Sequence, residues 1–205
     1  SFQKLERTLA ANFDDGDLFL TLTYDDKHLP DGRDAAVRRI RSFLSRLRKA
    51  RKERGHLLHY IYVTEGGNPG GRLHHHVVLN ATGDDLEEIR RLWIYGDNLE
   101  LRRLTFHRDH TYEDLASYLT KEPREWGHPQ VGERTWTPSL GLAHPEPETE
   151  TVPDCVTLSA PPEADILSRE GPVVNGYGEF AWIKYLLPRD PARKRRRNRR
   201  KRKKE

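Results

Sequence analysis

Hydrophobic and polar residues alternate along several short stretches of the chain and recur at helical spacing along others. Alternation with a period of two predicts a strand, and recurrence at i, i+3, i+4 and i+7 predicts an amphipathic helix. The predicted strands are residues 18–24, 57–65, 73–79 and 99–106, and the predicted helices are residues 34–53, 84–93 and 111–122. The glycine-rich segment 66–71 predicts a hairpin connection between the second and third strands.

This order of elements predicts an α+β fold of the split-βαβ type, like ferredoxin and RRM domains. We expect a four-stranded antiparallel sheet with two helices on one face, followed by a further helix, within a domain of residues 1–124. Prolines in an acidic context predict an irregular C-terminal extension over residues 125–190, in which 178–188 form one more strand or helix. The fold does not determine the function, because this scaffold hosts RNA binders, metallochaperones and nucleases.

The distribution of charge predicts a third segment, a basic tail at the C-terminal end of the sequence. The chain has 205 residues, of which 33% are charged and 35% hydrophobic, with a net charge of +4. Residues 193–205 hold eleven Lys or Arg and one Glu, so 25 basic and 31 acidic residues remain elsewhere, a formal charge of −6. We expect residues 191–205 to be a disordered basic tail attracted to phosphates. A solubilising or targeting tail is the alternative.

Cysteine content and hydropathy exclude several classes of protein. The single cysteine, Cys155, excludes an internal disulfide and a cysteine-based zinc finger. We expect a reducing, cytoplasmic location without a disulfide-linked partner. No apolar run approaches the ~18 residues of a membrane span, so no membrane partner is expected. The chain contains no methionine, and we expect its natural N-terminus to lie upstream of Ser1.

Three consecutive histidines occupy the third predicted strand. His74 and His76 point to one face and His75 to the other, because side chains alternate along a strand. A symmetric hairpin would place Glu65 opposite Arg72 and on the same face as His74 and His76. Two imidazoles and a carboxylate suit a divalent ion with open positions for substrate oxygens. A slip of one residue would instead leave His75 alone on that face.

The last predicted helix carries a second candidate group. Asp114, Tyr118 and Lys121 fall on one helical face, whereas Leu115 and Leu119 form the apolar stripe. A tyrosine beside a lysine is an ordinary solvated helix face in most proteins. It becomes informative here because the same small fold carries a candidate metal site.

Together these motifs resemble those of HUH endonucleases. "FLTLTYDD" on the first strand, a Glu followed by "RLHHH" at the hairpin, and "YLTK" on a helix are similar to the three motifs of that superfamily. The likeness is greatest to rolling-circle replication initiators of small single-stranded DNA phages, prophages and plasmids, and it covers roughly residues 17–124. It implies that His74, His76 and Glu65 bind Mn²⁺ or Mg²⁺, that Tyr118 is the nucleophile, and that Lys121 assists it.

The resemblance also implies an activity and its partners. The chain is expected to nick and rejoin single-stranded DNA at a replication origin through a 5′-phosphotyrosine intermediate. A host helicase or replication machinery would be a further partner, in the cytoplasm of a bacterial host. A transposase or relaxase uses the same chemistry, and a non-catalytic nucleic-acid-binding module of the same fold is the alternative from a different class.

Overall fold

The computed structural model describes residues 2–67, 71–105, 112–121, 135–146 and 157–187. It divides into two compact units, Ser1–Pro147 and Glu148–Glu205. No helix in the described ranges is both long and apolar enough to cross a membrane. The helices are α1 (Phe2–Asn12), α2 (Arg33–Glu53), α3 (Asp85–Leu92) and α4 (Glu113–Leu119). The strands are β1 (Leu18–Thr23), β2 (Tyr60–Glu65), β3 (His74–Leu79), β4 (Leu99–Arg103), β5 (Thr137–Pro138), β6 (Asp165–Asn175) and β7 (Gly178–Leu186).

The first unit is built on an antiparallel sheet with the strand order β4-β1-β3-β2-β5. Each helix connects two strands that have one other strand between them in the sheet. Helix α2 connects β1 to β2 across β3, and α3 connects β3 to β4 across β1. That arrangement is the split-βαβ fold, and the predicted α+β class is confirmed. The fifth strand, β5, was not predicted. It has two residues, too few to carry an alternating pattern, and pairs with β2 at Ile61 and Tyr62.

The two helices expected on one face of the sheet, α2 and α3, lie there, and α1 and α4 also cover the other face. On one face α2 and α3 bury an apolar stripe against the leucines of β1 and Val77 of β3. On the other face α1 and α4 pack against Ile61, Val63 and Val78. Helix α1 was not predicted, although Leu5 and Leu9 lie one helical turn apart and are fully buried.

The register of the β2–β3 hairpin differs from the predicted one. Glu65 pairs with His74 rather than with Arg72, and Val63 pairs with His76. The ladder is therefore displaced by two residues from the symmetric expectation. A displacement of two keeps every side chain on its predicted face, because the side-chain period of a strand is two.

Tertiary contacts of the connecting loop explain this displacement. The Arg72 guanidinium donates to the Tyr24 carbonyl at 2.9 Å and to the Asp26 carboxylate at 2.7 Å, which draws Arg72 away from the ladder. Leu73 is buried instead of continuing the hairpin. Gly66 closes the loop with a φ of +84°, and a Cβ there would lie 2.3 Å from the Arg72 carbonyl oxygen. Glycine is therefore required at this position.

The second unit contains an antiparallel hairpin of β6 and β7. Residues 178–188 were expected to form one more strand or helix, and β7 is that strand; β6 was not predicted, so residues 125–190 are not irregular throughout. The predicted basic tail, residues 191–205, lies outside the described residues. The domain boundaries at residues 124 and 190 stay predictions.

Candidate metal and tyrosine site

Adjacent strands bring three predicted metal ligands together at one end of the hairpin. Glu65 is the last residue of β2 and pairs with His74, the first residue of β3. His76 lies two residues further along β3 and therefore on the same face. The Glu65 Oε2 atom lies 3.5 Å from His74 Nε2 and 3.4 Å from His76 Nε2. The three side chains thus converge on one point.

The chemistry of this cluster fits a divalent metal ion. One ligand atom from each of Glu65, His74 and His76 lies within 4.8 Å of the others, so the cluster could hold an ion. Metal–ligand bonds of about 2.1 Å separate neighbouring ligand atoms by about 3.0 to 3.4 Å, close to the spacing seen here. In addition, Glu65 Oε1 is buried and has no hydrogen-bond partner among the described residues. A bound cation would satisfy that oxygen.

The electrostatics of the cluster keep the carboxylate charged. Burial raises the pKa of the Glu65 carboxyl, but hydrogen bonds and charge from His74 and His76 outweigh it and lower that pKa to about 2. An ionised carboxylate beside two imidazoles is the form that binds a divalent cation. The Glu65 carboxylate is therefore ionised, as a metal ligand must be, over the ordinary pH range.

Two residues of β1 orient the His76 ring. The Thr21 hydroxyl lies 3.3 Å from His76 Nδ1, and the Phe19 ring stacks on the imidazole with centroids 5.3 Å apart. A partner on Nδ1 fixes the ring and leaves Nε2 directed toward Glu65. Phe19 and Thr21 were missed as site residues. The alternation in "FLTLT", which contains both residues, predicted the strand but not which of its two faces would contact the candidate metal ligands.

Tyr118 of α4 completes the cluster. Its hydroxyl lies 3.2 Å from His76 Nε2, and its ring contacts the His76 ring edge-on with centroids 5.1 Å apart. Helix α4 reaches this place because Ala116 and Leu119 are buried in the core on the same face of the sheet. Tyr118 itself is 49% exposed, so the residue lies at the surface of the protein rather than in the core.

His75 lies on the opposite face, as the alternation of β3 predicts. It is fully buried, with Nε2 2.6 Å from the Tyr24 hydroxyl and Nδ1 2.9 Å from the Thr64 hydroxyl. Burial, and then the charges of His74, Arg33 and His76, lower the pKa of His75 to about 3. The ring is therefore neutral, and it packs in the core beside Trp93.

Lys121, the acidic residues that follow β1 and Tyr112 are the other polar residues of interest in this region. Lys121 follows the end of α4 with an exposed side chain, and its role in the site stays a prediction. Asp25 accepts hydrogen bonds from His28, and Asp26 pairs with Arg72. Tyr112, the other tyrosine near α4, is buried in the core, where desolvation raises the pKa of its phenol.

Comparison with known proteins places this site in a family context. Residues 17–123 match the family model of replication-associated protein ORF2. The replication-associated protein VP4 of Bdellovibrio phage phiMH2K is 32% identical over 129 residues, covering 52% of this chain and 38% of that protein. The chain thus spans well under half of that relative's length. No solved structure matches the chain significantly. The family match includes every residue of the cluster.

Proposed function

Because the chain belongs to the family of replication-associated protein ORF2, we propose that it nicks and rejoins single-stranded DNA at a replication origin. The observation that carries this proposal is the position of Tyr118, whose hydroxyl lies 3.2 Å from His76 Nε2 beside a cluster that could hold a metal ion. An exposed phenol next to a cation site is the arrangement that nucleophilic attack on a phosphodiester needs.

Mn²⁺ or Mg²⁺ is the proposed ion, with His74, His76 and Glu65 as its protein ligands. A bound divalent ion would neutralise a non-bridging phosphate oxygen and leave positions for further oxygens. The buried Glu65 carboxylate supplies negative charge to the site, since its pKa is lowered to about 2. Thr21 orients His76 through the 3.3 Å contact at Nδ1.

Tyr118 performs the covalent step in this proposal. Its phenol loses a proton, and its oxygen forms a bond to phosphorus while the bond from phosphorus to the 3′-oxygen breaks. The 3′-oxygen leaves as a hydroxyl after gaining a proton, and the 5′-phosphate stays on the tyrosine. Water can accept the phenolic proton, because the side chain is 49% exposed. The link conserves the bond energy, so a later 3′-hydroxyl can reverse the step and rejoin the strand.

Further parts of the proposal concern Lys121 and the partners. Lys121 would stabilise negative charge in the transition state, since it follows Tyr118 by three residues near the end of α4. The substrate would be single-stranded DNA at an origin, with a host helicase or replication machinery acting afterwards in the cytoplasm of a bacterial host.

A covalent-adduct assay tests the proposal. The wild-type chain and Tyr118→Phe are incubated with Mn²⁺ and single-stranded origin DNA, and the products are separated under denaturing conditions. Wild type should give a protein–DNA adduct that peptide mapping assigns to Tyr118. Tyr118→Phe should bind the DNA but form no adduct. Tyr112→Phe is the matched control and should remain active, because Tyr112 is buried away from solvent.

Two outcomes would contradict the proposal. An adduct mapped to a residue other than Tyr118 would remove the assigned nucleophile. Specific binding of origin DNA by the wild-type chain, with no adduct under any metal condition, would favour a non-catalytic nucleic-acid-binding module.

A further inference from the structure

Helix α2 carries a concentration of positive charge that the proposed reaction does not use. Nine of its residues are Lys or Arg, against two acidic residues, Asp34 and Glu53. The chain outside residues 193–205 has a formal charge of −6, from 25 basic and 31 acidic residues. The charge of α2 is therefore a local feature of an otherwise acidic protein.

Four of these cations form an exposed line along the helix, which we call the basic stripe: Arg38, Arg41, Arg48 and Lys52. At 100° and 1.5 Å per residue, they fall within a sector of about 80° and span about 21 Å. Asp34, in the first turn, is the acidic residue of α2 that shares this sector. The stripe thus presents one sign of charge along nearly four helical turns.

Tyrosine side chains position two cations of the stripe, and no acidic group neutralises any of the four in the described part of the chain. None of them forms an ion pair within the described part of the chain, whereas Arg51 on the buried side pairs with Asp85 at 2.6 Å. Arg41 donates to the Tyr62 hydroxyl at 3.3 Å. Arg48 donates to the Tyr60 hydroxyl at 3.2 Å and lies over that ring, 5.7 Å from its centroid.

Two pairs of like charge in the stripe, Arg38 with Arg41 and Arg48 with Lys52, repel each other in the absence of an anionic ligand. Like charges three or four residues apart destabilise a helix by about 0.2 to 0.5 kcal/mol per pair. Tyr62 holds Arg41 and Tyr60 holds Arg48 in place without offsetting their charge. A polyanion lying along the helix would relieve this repulsion and would meet donors that are already positioned.

We propose that the basic stripe binds the phosphate backbone of duplex DNA. A duplex carries one phosphate per strand about every 3.4 Å of its axis, so over the length of the stripe it offers more negative charges than the stripe has cations. Single-stranded DNA is bound through aromatic faces on which bases stack. The stripe offers no such face, because Tyr62 is buried and the Tyr60 ring is covered by Arg48.

The stripe and the metal and tyrosine site belong to opposite sides of the sheet. Helix α2 packs on the face that carries His75, whereas His74, His76 and Tyr118 lie on the other. One DNA molecule could therefore be held as a duplex on α2 while an unpaired segment reaches the site. The identity of the duplex as DNA rests on the proposed role in replication, but not on nicking by Tyr118.

The test is a salt titration of duplex binding by the full chain. A labelled duplex of unrelated sequence is titrated with protein at several salt concentrations, and fluorescence anisotropy gives the affinity. Replacing Arg38, Arg41, Arg48 and Lys52 by Gln should weaken binding about tenfold or more. It should also reduce the slope of log affinity against log salt by up to about 3.6, since each of the four lost phosphate contacts contributes about 0.9. Single-stranded DNA binding should change less.

Matched variants distinguish the loss of the basic stripe from a general reduction of positive charge. The control removes four exposed cations elsewhere in the first unit, with the same change in net charge, and should shift the slope by less than about 1: Arg90→Gln, Arg91→Gln, Arg102→Gln and Arg103→Gln. A charge-retaining variant, Arg38→Lys, Arg41→Lys and Arg48→Lys, should keep most of the wild-type slope. Thermal melting of each variant reports whether it is folded.

Three results of these titrations would overturn the proposal that the basic stripe binds duplex DNA. An unchanged slope in the stripe variant, or equal losses in the stripe and control variants, would overturn the proposal. An equal or larger loss of single-stranded DNA binding would also overturn it, because the surface would then not be specific to the duplex. Tyr118→Phe should bind the duplex like wild type, so a failure of the nicking proposal is distinguishable from a failure of this one.

Discussion

Replacing His75 with Gln should remove most of the loss of stability that mild acid causes in the wild-type protein. His75 is fully buried between the hydroxyls of Tyr24 and Thr64, at 2.6 and 2.9 Å. In a neutral imidazole one ring nitrogen accepts a hydrogen bond and the other donates one. Protonation would turn both nitrogens into donors and place a charge in the core, so the folded state resists it.

The magnitude follows from the difference in pKa between the two states. The folded state lowers the pKa of His75 from 6.5 to about 3, mainly through burial. As the pH falls below 6.5, the unfolded chain takes up a proton and the folded chain does not. The contribution of this group is therefore full above pH 6.5 and is lost progressively toward pH 3. Between pH 7.5 and pH 5 the loss is about 2 kcal/mol.

Urea unfolding at these two pH values measures the effect. Tryptophan fluorescence is a suitable signal, because the Trp93 ring lies 5.9 Å from the His75 ring. A chelator is included so that metal binding by His74 and His76 does not contribute. Glu65 contributes little in this window, because its folded pKa of about 2 lies below its ordinary value of 4.5 and its effect begins near pH 4.5. Equal pH dependence in wild type and His75→Gln would refute the reasoning.

Three further predictions concern the ligands, the basic tail and the core. Replacing His74 or His76 with Ala should abolish Mn²⁺ binding, measured by calorimetry, and DNA cleavage, while unfolding stays cooperative. If His75→Gln is the only one of the three variants that loses Mn²⁺ binding and cleavage, the register assigned to β3 is wrong. Deleting residues 193–205 should weaken DNA binding and flatten its salt dependence, and an unaltered salt slope would favour a targeting role. Arg51→Ala should lower the free energy of unfolding in urea by about 3 to 5 kcal/mol, since it removes a fully buried side chain and the cation that pairs with the buried Asp85 carboxylate. A loss under about 1 kcal/mol would count against a buried pair.

Local patterns predicted the elements whose residues bury one face against the sheet. Helix α2 follows from the spacing of Ile40, Phe43, Leu44 and Leu47, all of them buried. Strands β1 and β3 follow from alternation. Their side-chain faces were also predictable, because the period of a strand does not depend on its partner.

Tertiary contacts determined what those patterns did not predict. The hairpin register depends on Arg72 binding the Tyr24 carbonyl and on the burial of Leu73, and neither contact is visible in a local pattern. Strand β5 exists because β2 offers it an edge. The approach of Tyr118 to His76 depends on the docking of α4, which the helical spacing of its residues does not specify.

The histidine triplet shows how one strand can serve two purposes. Because neighbouring side chains alternate, β3 places His75 in the apolar layer under α2 and sends His74 and His76 to the face covered by α4. Burial keeps His75 neutral and fixes the strand through two hydroxyls, Tyr24 and Thr64. Those hydrogen bonds restrain the backbone from which both candidate ligands project. We therefore expect the geometry of the metal site to depend on a histidine that cannot reach it.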